Sequence, residues 1–282
     1  MFNFFQRKQK DPKRELNALL GGYELQSFPT VVMNALGTLR DPQSVIKEIA
    51  DQIQMDPGMN IKILRLVNSA AFGLVTKVSN LHHAVTILGR SRLESMLLSY
   101  AVANNIPPKL DCMGISRFWL AAAKRACLAK HIALHLHAAT QAESFTAGLL
   151  QDMAIPLISQ VKGTVYKDLI EKWHTDKYAD IDVMEREQFG YDHPSIGALV
   201  AEAWDLPDYL IQAIAGHHDL SEQSSAEPAV RLVSFIRYFD VGDGTERLIE
   251  FAEENFNIGT NMMQELISKA FAEAEQFAEI FE

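Results

Sequence analysis

Four side chains in the second half of the chain are of the types that hold a cation: Asp152, His193, His217 and His218. Imidazole nitrogens and a carboxylate oxygen are ordinary donors for zinc, iron or manganese. An ion held by such a set with one position open turns bound water into a usable hydroxide near neutral pH. His193 precedes Pro194, and His217 and His218 run into Asp219, all within the stretch FGYDHPSIGALVAEAWDLPDYLIQAIAGHHD. Adjacent helical residues point about 100° apart, so His217 and His218 are expected to divide, one facing inward and one at the rim. His193, beside Pro194, has a second role open to it, as a helix-capping residue.

Other constellations are weaker. His131 and His135 share a helix face with His137 nearby, but no Glu follows His131 as a zinc protease helix needs, and surface histidine is the expected role. His82 and His83 read as capping or core residues at a helix start. No G-x-x-x-x-G-K phosphate loop and no G-x-S-x-G nucleophile elbow is present. Cys112 and Cys127 form neither a paired ligand motif nor a disulfide framework, which fits a reducing compartment.

These groups must be positioned by helices. From residue 28 onward apolar residues recur at helical spacing and no alternating strand pattern appears, so the expected fold is all-α. Phe28-Pro29 introduces one helix. Asp41-Pro42 and Asp56-Pro57 each place a capping Asp before a Pro at the first helical position. Ser79 is expected to cap a helix that Gly89 stops, and a further helix continues from Leu93 to Pro107. Asn68-Ser69 with Gly73 is a polar stop and turn. A long Ala-rich helix runs from Ser116 to His137, one apolar helix from Ala142 to Ser159, and helical pattern resumes from Pro228 through Phe239. The tail beyond Gly244 is rich in Glu yet keeps an apolar face, as expected of an acidic helix docked on the body.

The formal net charge is −10, so no long-range attraction to a polyanion is expected, and Lys62, Arg65, Arg90 and Arg92 are the scattered cations behind a nucleotide- or nucleic-acid-binding reading. No apolar run reaches eighteen residues, so no membrane span is expected. The start MFNFFQRKQK has the wrong order for a secretory signal, which points to the cytoplasm. Phe2, Phe4 and Phe5 beside Arg7, Lys8, Lys10, Lys13 and Arg14 could rest on an anionic surface, with a frayed terminus as the plainer expectation.

LQSFPTVVMNALGTLRDP, MDPGMNIKILRLVNSAAFG, VSNLHHAVTILGRSRLESMLL, AGLLQDMAIPLI, EREQFGYDHPSIGALVAEAWDLP and AIAGHHD, in this order, resemble the HDOD domain. This domain is a bacterial signalling relative of the HD phosphohydrolases, and the resemblance spans roughly Gly22 to Leu220. It implies a two-lobed all-α domain over 21–220, with an N-terminal bundle at 21–110 and an HD-like helical core at 111–220. The flanks are an extension at 1–20 and an acidic helical extension at 221–282. It also implies where a catalytic metal centre would have its donors. Ala121 stands where a first His is expected, Gln151-Asp152 where a His-Asp doublet is expected, and Phe235, Ile236 and Arg237 near the place of a last Asp, with Asp240 too late. An Arg at that last place would repel a cation. Asp152, His193, His217 and His218 remain as a residual metal set.

The expectation is a non-catalytic signalling module with no resident cofactor. It would act through a regulatory protein partner, and a nucleotide ligand is compatible with that role. The alternatives are a phosphohydrolase using Fe, Mn, Zn or Mg on Asp152, His193 and His217, and a nucleotide- or nucleic-acid-binding module.

Overall fold

A computed structural model of the chain describes residues 11–68, 74–221, 223–239 and 242–279. The Phe-rich start at 1–10, the Ser69–Gly73 turn and Asp240 lie outside these residues. Every regular element among those described is helical.

The first helices are α1 (Pro12–Leu19), α2 (Thr30–Arg40), α3 (Ile46–Ile53), α4 (Pro57–Val67) and α5 (Leu81–Asn105). Asp56 caps α4 as expected, accepting from the Met59 N–H at 3.0 Å with Pro57 behind it. Asp41-Pro42 does not open a helix. Asp41 accepts from the Gln43 N–H in a turn, and α3 begins only at Ile46, where Glu48 reaches back to the Val45 N–H. Asn80 rather than Ser79 caps α5. At Gly89 the backbone takes φ 70° and ψ 174°, which breaks α5 into two stretches. Arg90, just past the break, donates to the carbonyls of Leu39 (2.6 Å) and Asp41 (3.2 Å), so this cation is an internal clamp.

The second half contains α6 (Ile115–Leu136), α7 (Gln141–Leu150), α8 (Ala154–Lys162), α9 (Thr164–Thr175), α10 (Ile181–Phe189), α11 (His193–Ala203), α12 (Asp208–Gly216), α13 (Pro228–Val233), α14 (Thr245–Phe256) and α15 (Thr260–Ala278). The Ala-rich α6 is the central rod, flanked by α7, α13 and α15. A Cβ at Gly148 on α7 would stand 3.0 Å from the Arg125 carbonyl and 3.2 Å from the Ala129 methyl, so glycine is what allows the two helices to approach so closely.

Three further expectations are corrected. The apolar run Ala142–Ser159 is two helices, α7 and α8, separated by the turn Gln151–Met153. The run from Pro228 stays helical only to Val233, and 234–239 is irregular. His131 is buried rather than on the surface, because α15 covers it: Glu273 accepts from Lys130 Nζ at 2.6 Å and lies 3.0 Å from His131 Nε2. The acidic tail is docked, with Met263, Ala270, Ala274 and Phe277 buried. The first residues also cross onto the second half. α1 packs on α11 with Leu16 buried, and Trp204 Nε1 donates to the Gln26 carbonyl at 2.8 Å.

Candidate metal centre

The breaks in helical pattern build the centre. The turn between α7 and α8 presents Asp152 to the interior. Asp192 caps α11 by accepting from the Ser195 N–H at 2.8 Å, which frees His193, the first helical residue, to point inward. His217 terminates α12 and His218 follows it. His193 and His217 are fully buried and Asp152 is nearly so; the His218 side chain keeps 17% exposure at the rim, yet its donor still joins the same cluster.

Donor atoms of His193, His217 and His218 all lie within 4.8 Å of one another. His193 Nε2 and His217 Nε2 are 3.0 Å apart, and Asp152 Oδ1 lies 3.3 Å from the latter and 3.6 Å from the former. His217 Nδ1 sits 2.7 Å from the Ile214 carbonyl, which can only accept. His217 must therefore donate there and accept at Nε2, and His193 must donate to it. The other His193 nitrogen is 2.7 Å from Glu185 Oε2 on α10, which also accepts from the His193 backbone N–H at 2.7 Å. Tyr166 of α9 donates to the second Glu185 oxygen.

The charges follow from this geometry. Burial disfavours an imidazolium at His193, but Glu185 and Asp152 outweigh it and push the group up to about 10. Burial lowers His217, and the charge on His193 adds to that; burial holds His218 well below the ordinary histidine value, with His217 and His193 reinforcing it. Burial works against an ionised Asp152, yet Arg125 and the charged His193 hold its carboxyl well below the usual range. A raised pKa contributes stability below the unfolded value of 6.5 that is lost as pH rises through about 10. The thermal midpoint is therefore expected to fall between neutral pH and about pH 10, and to fall less in His193→Gln; equal slopes for the two proteins would contradict the imidazolium assignment.

The group that sequence reading missed is Arg125. It is fully buried on α6, one turn beyond Ala121, and its Nη1 lies 2.8 Å from Asp152 Oδ2. Nη2 and Nε donate to the Ile236 carbonyl at 2.6 and 3.2 Å, and the guanidinium stands 4.7 Å from the centre of the Tyr238 ring. Tyr238 donates its hydroxyl to the same Asp152 oxygen. Both residues 236 and 238 belong to the irregular segment after α13. Arg237, expected at the pocket, instead turns away and donates to the carbonyls of Trp173, Asp176, Lys177 and Ala179.

Do these residues fit a divalent ion? Donors held about 2.0–2.2 Å from one ion stand about 3–3.5 Å apart, so Asp152 Oδ1, His193 Nε2 and His217 Nε2 match in spacing. The charge does not match. An ion on Oδ1 would lie about 5 Å from the guanidinium on Oδ2, and the repulsion is about 7 kcal/mol at an effective dielectric constant of about 20. Ala121 supplies no donor. Gln151 supplies only an amide, buried without a hydrogen-bond partner in the protein. The spacing of the donors suits a divalent ion, while the Arg125 guanidinium and the missing donors at 121 and 151 oppose one.

Outside His218 a cleft of about 260 Å³ runs past Asp182, Arg186, Arg237 and Arg247. Its arginines are engaged: Arg186 with Asp182 and Asp192, Arg247 with Asp180 at 3.1 Å, and Arg237 with the four carbonyls. A phosphate ester entering here would compete with contacts already made.

An all-helical body around a buried histidine cluster closed by an arginine is the class of fold the chain presents. The HDOD domain family matches residues 25–220, and the chain belongs to that family. An HDOD domain protein with unknown function from Geobacter sulfurreducens superposes with a TM-score of 0.73 at 22% identity, covering 95% of this chain and 97% of that one. A proposed signal transduction protein from Marinobacter aquaeolei VT8 gives 0.74 at 18% identity, covering 98% and 62%. A proposed metal-dependent phosphohydrolase from Shewanella amazonensis SB2B gives 0.67 at 19%, covering 96% and 99%. An uncharacterized protein of Treponema pallidum (strain Nichols) is 24% identical over 227 residues, 77% of this chain, and the chain spans 43% of that relative's length. Among the described residues, no helix is long and apolar enough to cross a membrane.

Proposed function

We propose that this chain is a non-catalytic HDOD-type signal-transduction module that works in the cytoplasm of a bacterium by binding a regulatory protein or a small ligand. The observation that carries the reading is the Arg125–Asp152 ion pair, at 2.8 Å, in the place where a hydrolase needs a metal. Ala121 and Gln151, two positions without a usable donor, support it. In this reading the working module is 21–220, made of the 21–110 bundle and the 111–220 core, with 221–282 as an acidic extension. Asp152, His193, His217 and His218 form a residual centre that holds α8, α11 and α12 together. Two buried free cysteines, Cys112 and Cys127, agree with a reducing compartment.

The three converging donor atoms favour one alternative, a phosphohydrolase in which Asp152, His193 and His217 hold a single divalent ion. A hydrolase assay separates the two readings. With p-nitrophenyl phosphate and its bis-ester, and Mn²⁺, Fe²⁺ or Mg²⁺ supplied, purified protein is expected to turn over no faster than Asp152→Ala. Turnover lost in both Asp152→Ala and His193→Ala would overturn the proposal.

A further inference from the structure

We propose that Arg125 is the resident cation of this centre: its guanidinium occupies the role of an ion by binding Asp152 and the 236–238 segment to α6. The inference rests on the non-catalytic reading and gives it a physical cause. Three polypeptide segments meet at the guanidinium. Nη1 binds the carboxylate of the α7–α8 turn, Nη2 and Nε bind the Ile236 carbonyl, and the Tyr238 ring lies beside the guanidinium while its hydroxyl completes the carboxylate's contacts. A metal ion would cross-link separate helices through donor side chains in the same manner, but would exchange with solvent and depend on supply. A guanidinium is covalently attached and charged at every physiological pH, and its planar fork can hold two acceptors in fixed directions. Burial of Arg125 to 1% exposure makes such pairing obligatory.

The assignment has a converse. Asp152 Oδ1, His193 Nε2 and His217 Nε2 already face one another at 3.0–3.6 Å, so once a metal displaces the His193 Nε2 proton, three donors are in place and the remaining obstacle is Arg125. Removing the guanidinium is expected to convert the centre into a cation site. Cobalt(II) is the probe, because inner-sphere binding in a low-coordinate nitrogen and oxygen site gives visible d–d absorption. Wild-type protein is expected to develop no such bands, and Arg125→Met and Arg125→Gln to take up about one equivalent, lost again when His217→Ala is added.

Uptake of one equivalent by the wild type overturns the assignment, as does a folded Arg125→Met that binds no better than wild type. If neither variant folds, the wild-type titration decides: uptake overturns the proposal and its absence upholds it. Cobalt uptake by the wild type without phosphatase turnover removes the arginine assignment and leaves the non-catalytic reading standing. Metal-dependent turnover removes the reading itself.

Discussion

Replacing Arg125 with Met is expected to lower the unfolding free energy by about 3–5 kcal/mol, measured by urea denaturation at neutral pH. The substitution leaves Asp152 buried without its cation and the Ile236 carbonyl without its two donors. An unpaired buried charge is costlier than the pair is valuable, because the pair's attraction largely offsets its own desolvation. For the same reason Arg125→Met combined with Asp152→Leu is expected to recover much of the loss, since both charges are then absent. A loss below about 1 kcal/mol for the single substitution, in the range of exposed ion pairs, would show that Arg125 does not hold the centre.

Gly244→Ala is expected to cost more than about 4 kcal/mol, or to prevent folding. Gly244 precedes α14 with φ 85°, and a Cβ there would lie 1.6 Å from the Phe235 carbonyl oxygen and 2.7 Å from its carbon. Both atoms are backbone, so no rotamer change relieves the clash and the chain must move. The part that would move is the segment that serves the centre. Phe235 adjoins Ile236, whose carbonyl receives Arg125, and the Arg237 N–H donates to the Asp243 carbonyl at 2.7 Å. A control separates clash from backbone strain. Gly21 also has positive φ, 62°, but nothing within 4 Å of its Cβ position, so Gly21→Ala is expected to cost only about 1–2 kcal/mol. Thermal melts in parallel read the contrast, and equal midpoints for the two variants would contradict it.

Much of the helical framework was legible because its signals are local. Asp56-Pro57 punctuates its helix as the residue types demand, and the Ala-rich α6 lies at the centre where small side chains let neighbours approach. Asp41-Pro42 carries the same local signal, yet its Asp closes a turn. Nothing local says whether a capping carboxylate finds the N–H two residues on or that of a helix. The Gln151–Met153 break was invisible for a related reason: the residues on either side keep their apolar character through it.

The centre was legible in half. His193 and His217 announce themselves by type, and Asp152 by its place in the resemblance. Arg125 and Glu185 do not, because a lone charge in a helical pattern most often faces solvent. One signal was present. Arg125 stands four residues after Ala121 and so shares the face on which the missing histidine would have lain. The same default placed His131 on the surface, although Lys130 beside it and Glu273 on a distant helix together bury it. Arg237 attracted attention for its position in sequence, but its direction is set by four carbonyls gathered from α9 and the following loop, an arrangement only tertiary structure displays.

The central claim is that the chain carries its own cation where a hydrolase would carry a metal. Elemental analysis of protein purified without chelators, or of its crystals by anomalous scattering, tests this most directly. Iron, manganese and zinc are each expected well below one equivalent per chain, with no anomalous peak among Asp152, His193 and His217. About one equivalent of any of these metals, located between those three side chains, would contradict it.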